Sequence, residues 1–71
     1  MKIIISGCGK IGATILENLV AEGHDIVAID NNQNVIQEVT NVYDVMGVCG
    51  NCFDSDILEE AGISEADLFI A

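Results

Sequence analysis

Gly7-Cys8-Gly9-Lys10-Ile11-Gly12 is a glycine spacing able to cradle phosphates, and Asp30 stands eighteen residues beyond its last glycine. In such a pattern the first glycine permits a tight turn. The second admits a pyrophosphate against bare backbone, and the third lets a helix pack close to the preceding strand. The free N–H groups of that helix's first turn then face the phosphates, with a dipole contribution of about 0.3–1 kcal/mol. A carboxylate at about this distance along the chain accepts hydrogen bonds from both ribose hydroxyls, each charge-assisted bond being worth roughly 1.5–3 kcal/mol. It also repels a 2′-phosphate, and the chain contains no arginine to receive one. NAD (as NADH) is therefore expected over NADP. Asn31, beside Asp30, joins the candidate cofactor-binding set.

Gly50-Asn51-Cys52 follows the third apolar run and falls on the same edge of a sheet, where it is placed to border an adenine ring or to be a plain turn. With Cys49 it also forms a CxxC, the spacing of thiol redox chemistry or half a zinc site. Further ligands are poorly placed. Cys8 is expected about 10 Å away, two strand steps of about 4.8 Å, and His24 at the opposite end of the sheet. Cys49 as a buried strand residue is the simpler reading. An NAD-dependent oxidoreductase fragment is the other alternative, since this fold hosts many chemistries. It would need an acid, base or electrophile near the nicotinamide, and that edge offers only Cys, Asn, Lys10 and carboxylates. Tyr43 opens the third strand at the wrong edge.

The elements that position these residues are legible in the pattern. Lys2 to Ser6 is a β-branched run ending at a glycine, a buried strand. From Lys10, Ile11, Ile15 and Leu19 recur at helical spacing with Gly12, Leu16 and Val20 beside them, which predicts a helix of about three turns stopped by Gly23. Ile26 to Ile29 is a second buried strand ending at Asp30, and Asn31 or Asn32 can cap a second helix carrying Val35, Ile36 and Val39. Asp44 to Cys49 reads as a third strand. Asp54 can cap a third helix with Ile57, Leu58 and Ala61, ended by Gly62. Leu68 to Ala71 begins a fourth strand. Alternating strands and helices with short connectors mean βαβ units in an α/β, Rossmann-type doubly wound parallel sheet of order 3-2-1-4.

Composition agrees. A complete domain of this kind runs to roughly 100–200 residues, so the 71 residues present read as the N-terminal half of a single dinucleotide-binding domain, residues 1–71, cut in its fourth strand. That strand is an exposed edge, expected to pair with another copy or with the rest of the domain. The 51% apolar content argues for strands buried on both faces. No apolar run reaches the roughly 18 residues of a membrane span, and the short start before Ser6 is no secretory signal. A cytoplasmic location without direct membrane insertion follows, and three cysteines fit a reducing compartment. Twelve acidic residues against two lysines give a net charge of −10, which excludes a nucleic-acid surface. Phosphates must then be held by local backbone N–H groups rather than by the overall field.

Met1 to Ile5 with Gly7 to Gly12, Glu22-Gly23-His24-Asp25 before Ile29-Asp30, Gly50-Asn51, Leu58 to Ile63 and Ala66-Asp67 together resemble the KTN/RCK family of cytoplasmic gating domains. The likeness is to the RCK N-terminal domains of TrkA-type regulatory subunits of potassium transport, and it covers essentially the whole chain. It departs at Phe53, where the family more often has a small hydroxyl residue, and at Ser55, where proline is common. The resemblance implies a non-catalytic regulatory domain that binds NAD(H), or alternatively ATP or ADP. It implies homo-oligomers, as dimers or rings, coupled to a membrane potassium channel or transporter subunit on the inner face of the membrane. Gly7, Cys8, Gly9, Lys10 and Ile11 would then line the phosphates, Asp30 would hold the ribose, and Asn51 and Cys52 would lie at the adenosine end. The family's domain continues beyond Ala71, in a half that supplies further nucleotide contacts and much of the subunit interface.

Overall fold

The computed structural model describes residues 1–7 and 13–70; the expectations for Cys8, Gly9, Lys10, Ile11, Gly12 and Ala71 lie outside the described residues. Three isoleucines in a row make β1 (Lys2–Ser6), whose Ile3, Ile4 and Ile5 are each at most 1% exposed. Burying each such side chain contributes roughly 1.5–3 kcal/mol. β2 (Asp25–Asp30), β3 (Met46–Cys49) and β4 (Leu68–Ile70) join it in a four-stranded, wholly parallel sheet of order β3-β2-β1-β4. The two central strands are the ones buried on both faces, as the apolar content required.

The crossovers explain where the helices go. From β1 to β2 to β3 the chain steps in one direction, then it reverses past β1 to reach β4. Right-handed crossovers put α1 (Ala13–Ala21) and α2 (Gln33–Val42) on one face, and α3 (Ser55–Ala61) on the other. Side-chain alternation along the strands feeds both layers. Ile3, Ile5, Ile26 and Ala28 meet Leu16 of α1 and Ile36 of α2. Ile4, Val27, Ile29 and Val48 meet Ala61, Ile57 and Leu58 of α3.

Local chemistry sets the ends. Asn32 caps α2 by accepting the Asn34 N–H at 2.9 Å, and Asp54 caps α3 by accepting the Asp56 N–H at 2.9 Å. Gly62 closes α3 in the left-handed conformation, its N–H on the carbonyls of Leu58 and Glu59. A 3₁₀ turn at Ile63–Glu65, absent from the sequence reading, leads into β4. The amino end of β1 is clasped there, for Lys2 N–H donates to the Asp67 carboxylate at 2.8 Å and Asp67 N–H to the Lys2 carbonyl at 2.8 Å.

Four expectations need correction. The third strand begins at Met46, not Asp44, because the Val45 N–H is taken by the Tyr43 carbonyl at 2.9 Å. Tyr43 therefore does not open that strand. It is the C-cap of α2, half-buried against the core. Ile15, placed in the apolar stripe of α1, is 53% exposed, since the buried stripe is centred on Leu16 with Leu19 and Val20 one turn on. Cys49 is exposed rather than buried, because β3 is an edge strand and alternation sends Val48, not Cys49, into the core.

Candidate nucleotide-binding site

The carboxyl ends of β1, β2 and β3 open onto one cleft of about 960 Å³, a size suited to a small organic ligand. Gly7 leaves β1 with φ +76°, a conformation costly for any residue with a Cβ. Its N–H donates to the Ile29 carbonyl at 2.9 Å. That bond draws the start of the glycine turn against the end of β2, next to Asp30.

Asp30 is half-buried and held in place. Its Oδ1 accepts the Asn32 N–H at 2.9 Å, and its backbone carbonyl accepts the Gly50 N–H at 2.9 Å. The first of these bonds orients the carboxylate, a group with about four lone-pair sites, at the mouth of the cleft. The second bond fastens the loop after β3 to the same strand end.

Gly50 lies tight against α3. A Cβ at this position would fall 2.5 Å from Ile57 Cδ1. Beyond it, Asn51 builds a turn: its Oδ1 accepts the Phe53 N–H at 2.9 Å and its carbonyl accepts the Asp54 N–H at 3.0 Å. Cys52 points inward, half-buried against the cluster of Ile4 and Val48, while Phe53 points out and is 91% exposed.

Of the expected residues, Gly7, Asp30, Asn31, Asn51 and Cys52 all line this single cleft. Cys8 to Gly12 lie outside the described residues. Sequence reasoning missed Asn32, Phe53 and Phe69 as lining residues. Asn32 carries only the signal of a helix cap in the sequence. Phe53 does carry a signal, since an aromatic ring between Cys52 and Asp54 fits no core periodicity. Phe69 was hidden inside an ordinary strand run.

Among the described residues no cationic side chain lines the cleft. Lys2 is at the other edge of the sheet, where its Nζ is 3.4 Å from Glu65. His24, also at that edge, is 3.0 Å from Glu22. Cys49 and Cys52 are free thiols, and among the described residues no group of three or more His, Cys, Asp or Glu side chains converges as a metal site. No helix among the described residues is long and apolar enough to cross a membrane.

Comparison with known proteins adds a family to this geometry. The profile of the TrkA-N domain matches residues 3–71. The Trk system potassium uptake protein TrkA of Vibrio alginolyticus is 45% identical over all 71 residues, which correspond to 16% of that protein. The TrkA homolog of Methanothermobacter thermautotrophicus is 38% identical over the whole chain and 33% of its own length. TrkA of Haemophilus influenzae is 41% identical over the whole chain and 16% of its own length. The chain thus spans between about a sixth and a third of these relatives. Each of them is named for potassium uptake and not for an oxidation.

Proposed function

Because the chain belongs to the TrkA-N domain family, we propose that it is the leading half of a domain that senses an adenine nucleotide, NAD(H) first and ATP or ADP second, and regulates a membrane potassium transporter without catalysing a reaction. One observation supports this reading above the others. The left-handed Gly7 is hydrogen-bonded to Ile29 beside Asp30, so the residue that opens the glycine motif and the strand-end carboxylate line one cleft. Asp30 accepts the ribose hydroxyls. The turn from Gly7 through Gly12 holds the phosphates by backbone N–H groups, which suits a chain of net charge −10. Asn31, Asn51 and Cys52 complete the adenosine side.

The regulatory step is a difference in nucleotide affinity between two arrangements of cytoplasmic subunits, which the transporter partner reads. Its partner is proposed from the names of the relatives, and its homo-oligomeric state from the exposed edge of β4, where Leu68 and Phe69 are 45% and 39% exposed.

Calorimetric titration of the intact protein with NADH, NADPH, ATP and ADP tests this. Micromolar NADH binding is expected, with NADPH at least about tenfold weaker. Asp30→Ala then weakens NADH by at least roughly 10- to 100-fold, the equivalent of one of its two charge-assisted hydrogen bonds, and abolishes the preference. Absence of binding by all four nucleotides overturns the reading.

A further inference from the structure

We propose that Phe53 is the stacking platform for the nucleotide's base, which makes it a specificity-determining residue of the cleft; the inference rests on the nucleotide reading above. Topology sets the direction. With the ribose on Asp30 at the end of β2, the strands on either side are β1 and β3. The phosphates leave the ribose towards the Gly7 turn on the β1 side. The base, attached at the opposite side of the sugar ring, is directed towards β3. Asp30 pairs with Cys49 in the register, and the turn carrying Phe53 begins immediately after that pair.

The ring is held out by its surroundings. Asn51 fixes the Phe53 N–H at 2.9 Å and the Asp54 N–H at 3.0 Å, and Asp54 is in turn the cap of α3. On the other side Gly50 is anchored to Asp30 and pressed against Ile57. Cys52 already occupies the inward position of the turn. Phe53 therefore has no route into the core, and at 91% it is the most exposed of the large apolar side chains described, while still lining the cleft that contains Asp30. A solvated phenyl ring on an anchored backbone, lining the same cleft as Asp30, is suited to a flat heteroaromatic ring. Stacking of this kind tolerates any base, and a purine offers it more surface than a pyrimidine does.

The test uses the intact protein, with ADP and CDP as probes and three variants, Phe53→Ala, Phe53→Leu and Phe53→Trp. Wild-type protein is expected to prefer ADP to CDP. Phe53→Ala weakens ADP by about 5- to 100-fold, the range of base–aromatic stacking, and shrinks the preference over CDP. Phe53→Leu restores little of it, whereas Phe53→Trp keeps ADP affinity within about twofold and the fluorescence it adds over wild type is quenched by ADP. ADP affinity unchanged in Phe53→Ala, or no quenching in a Phe53→Trp protein that binds ADP, overturns the proposal. Altered self-association in Phe53→Ala with ADP affinity intact also overturns it, and assigns the ring to a subunit contact. Failure of the wild type to bind any nucleotide instead removes the nucleotide reading on which the inference rests.

Discussion

Gly50→Ala is predicted to change sign with its neighbour. The backbone of Gly50 is not in the left-handed region, so an alanine there is unstrained in itself. By restricting the unfolded chain, such a change ordinarily stabilises by about 0.4–1 kcal/mol. Here the new Cβ would lie 2.5 Å from Ile57 Cδ1 and 2.8 Å from Cγ1, against about 3.5–4.0 Å for carbons in contact. Relief requires a shift of about 1 Å in a side chain packed on the β-sheet, and overpacking of this kind costs roughly 1–3 kcal/mol. The net change is a loss of about 0.5–2 kcal/mol. Ile57→Ala removes both colliding carbons and itself costs about 2 kcal/mol, the low end for a half-buried residue. In that background Gly50→Ala should be neutral or stabilising. Urea unfolding followed by circular dichroism reads both effects as midpoint shifts, about 1 M per kcal/mol for a domain this small. An equal penalty in both backgrounds would refute the reasoning and place the cost in the backbone of the loop.

Three further outcomes are expected. Asp54→Ala should lower stability by about 1 kcal/mol through loss of the α3 cap, while Asp54→Asn, which caps as well, should cost only a few tenths in the same unfolding assay. Gly7→Ala should cost about 1–2 kcal/mol from conformation alone, because the built Cβ meets nothing within 4 Å; a cost at or below zero in thermal unfolding would count against the left-handed turn. The Lys2–Glu65 pair, with Glu65 78% exposed, should show a double-mutant coupling of under about 0.5 kcal/mol that vanishes at high salt.

Much of this fold was legible because local and global signals coincide. The isoleucine run, Asp54 and Gly62 each specify an element end or a buried strand by chemistry that needs no distant partner. The strand order followed from βα alternation and crossover handedness. The errors fell where tertiary position decides. Whether Cys49 is buried depends on β3 being an edge strand, and the start of that strand depends on a Tyr43–Val45 hydrogen bond that no periodicity encodes. Ile15 looked apolar enough for a core stripe, yet the angle at which α1 meets the sheet centres burial on Leu16. In the cleft, spacing and edge position point to Gly7, Asp30, Asn31, Asn51 and Cys52 as candidates, and the fold brings these five to one lining. Asn32 and Phe53 enter through the path of the loops after β2 and β3, and Phe69 through the pairing of β4 with β1.

The clasp between Lys2 and Asp67 has a consequence for how the chain folds. β1 is made first, but it lies in the middle of the sheet, and its partners arrive late: Ile3 pairs with Ile26 on one side and Leu68 on the other. A wholly parallel sheet contains no hairpin to nucleate it, so every strand pairing closes a long loop before it is rewarded. High contact order of this sort slows folding. On the ribosome, where the N-terminus emerges first at about 5–20 residues per second, three consecutive isoleucines must wait several seconds for their last neighbour. Of the four strands described, the most buried is thus the one left longest without its full complement of neighbours.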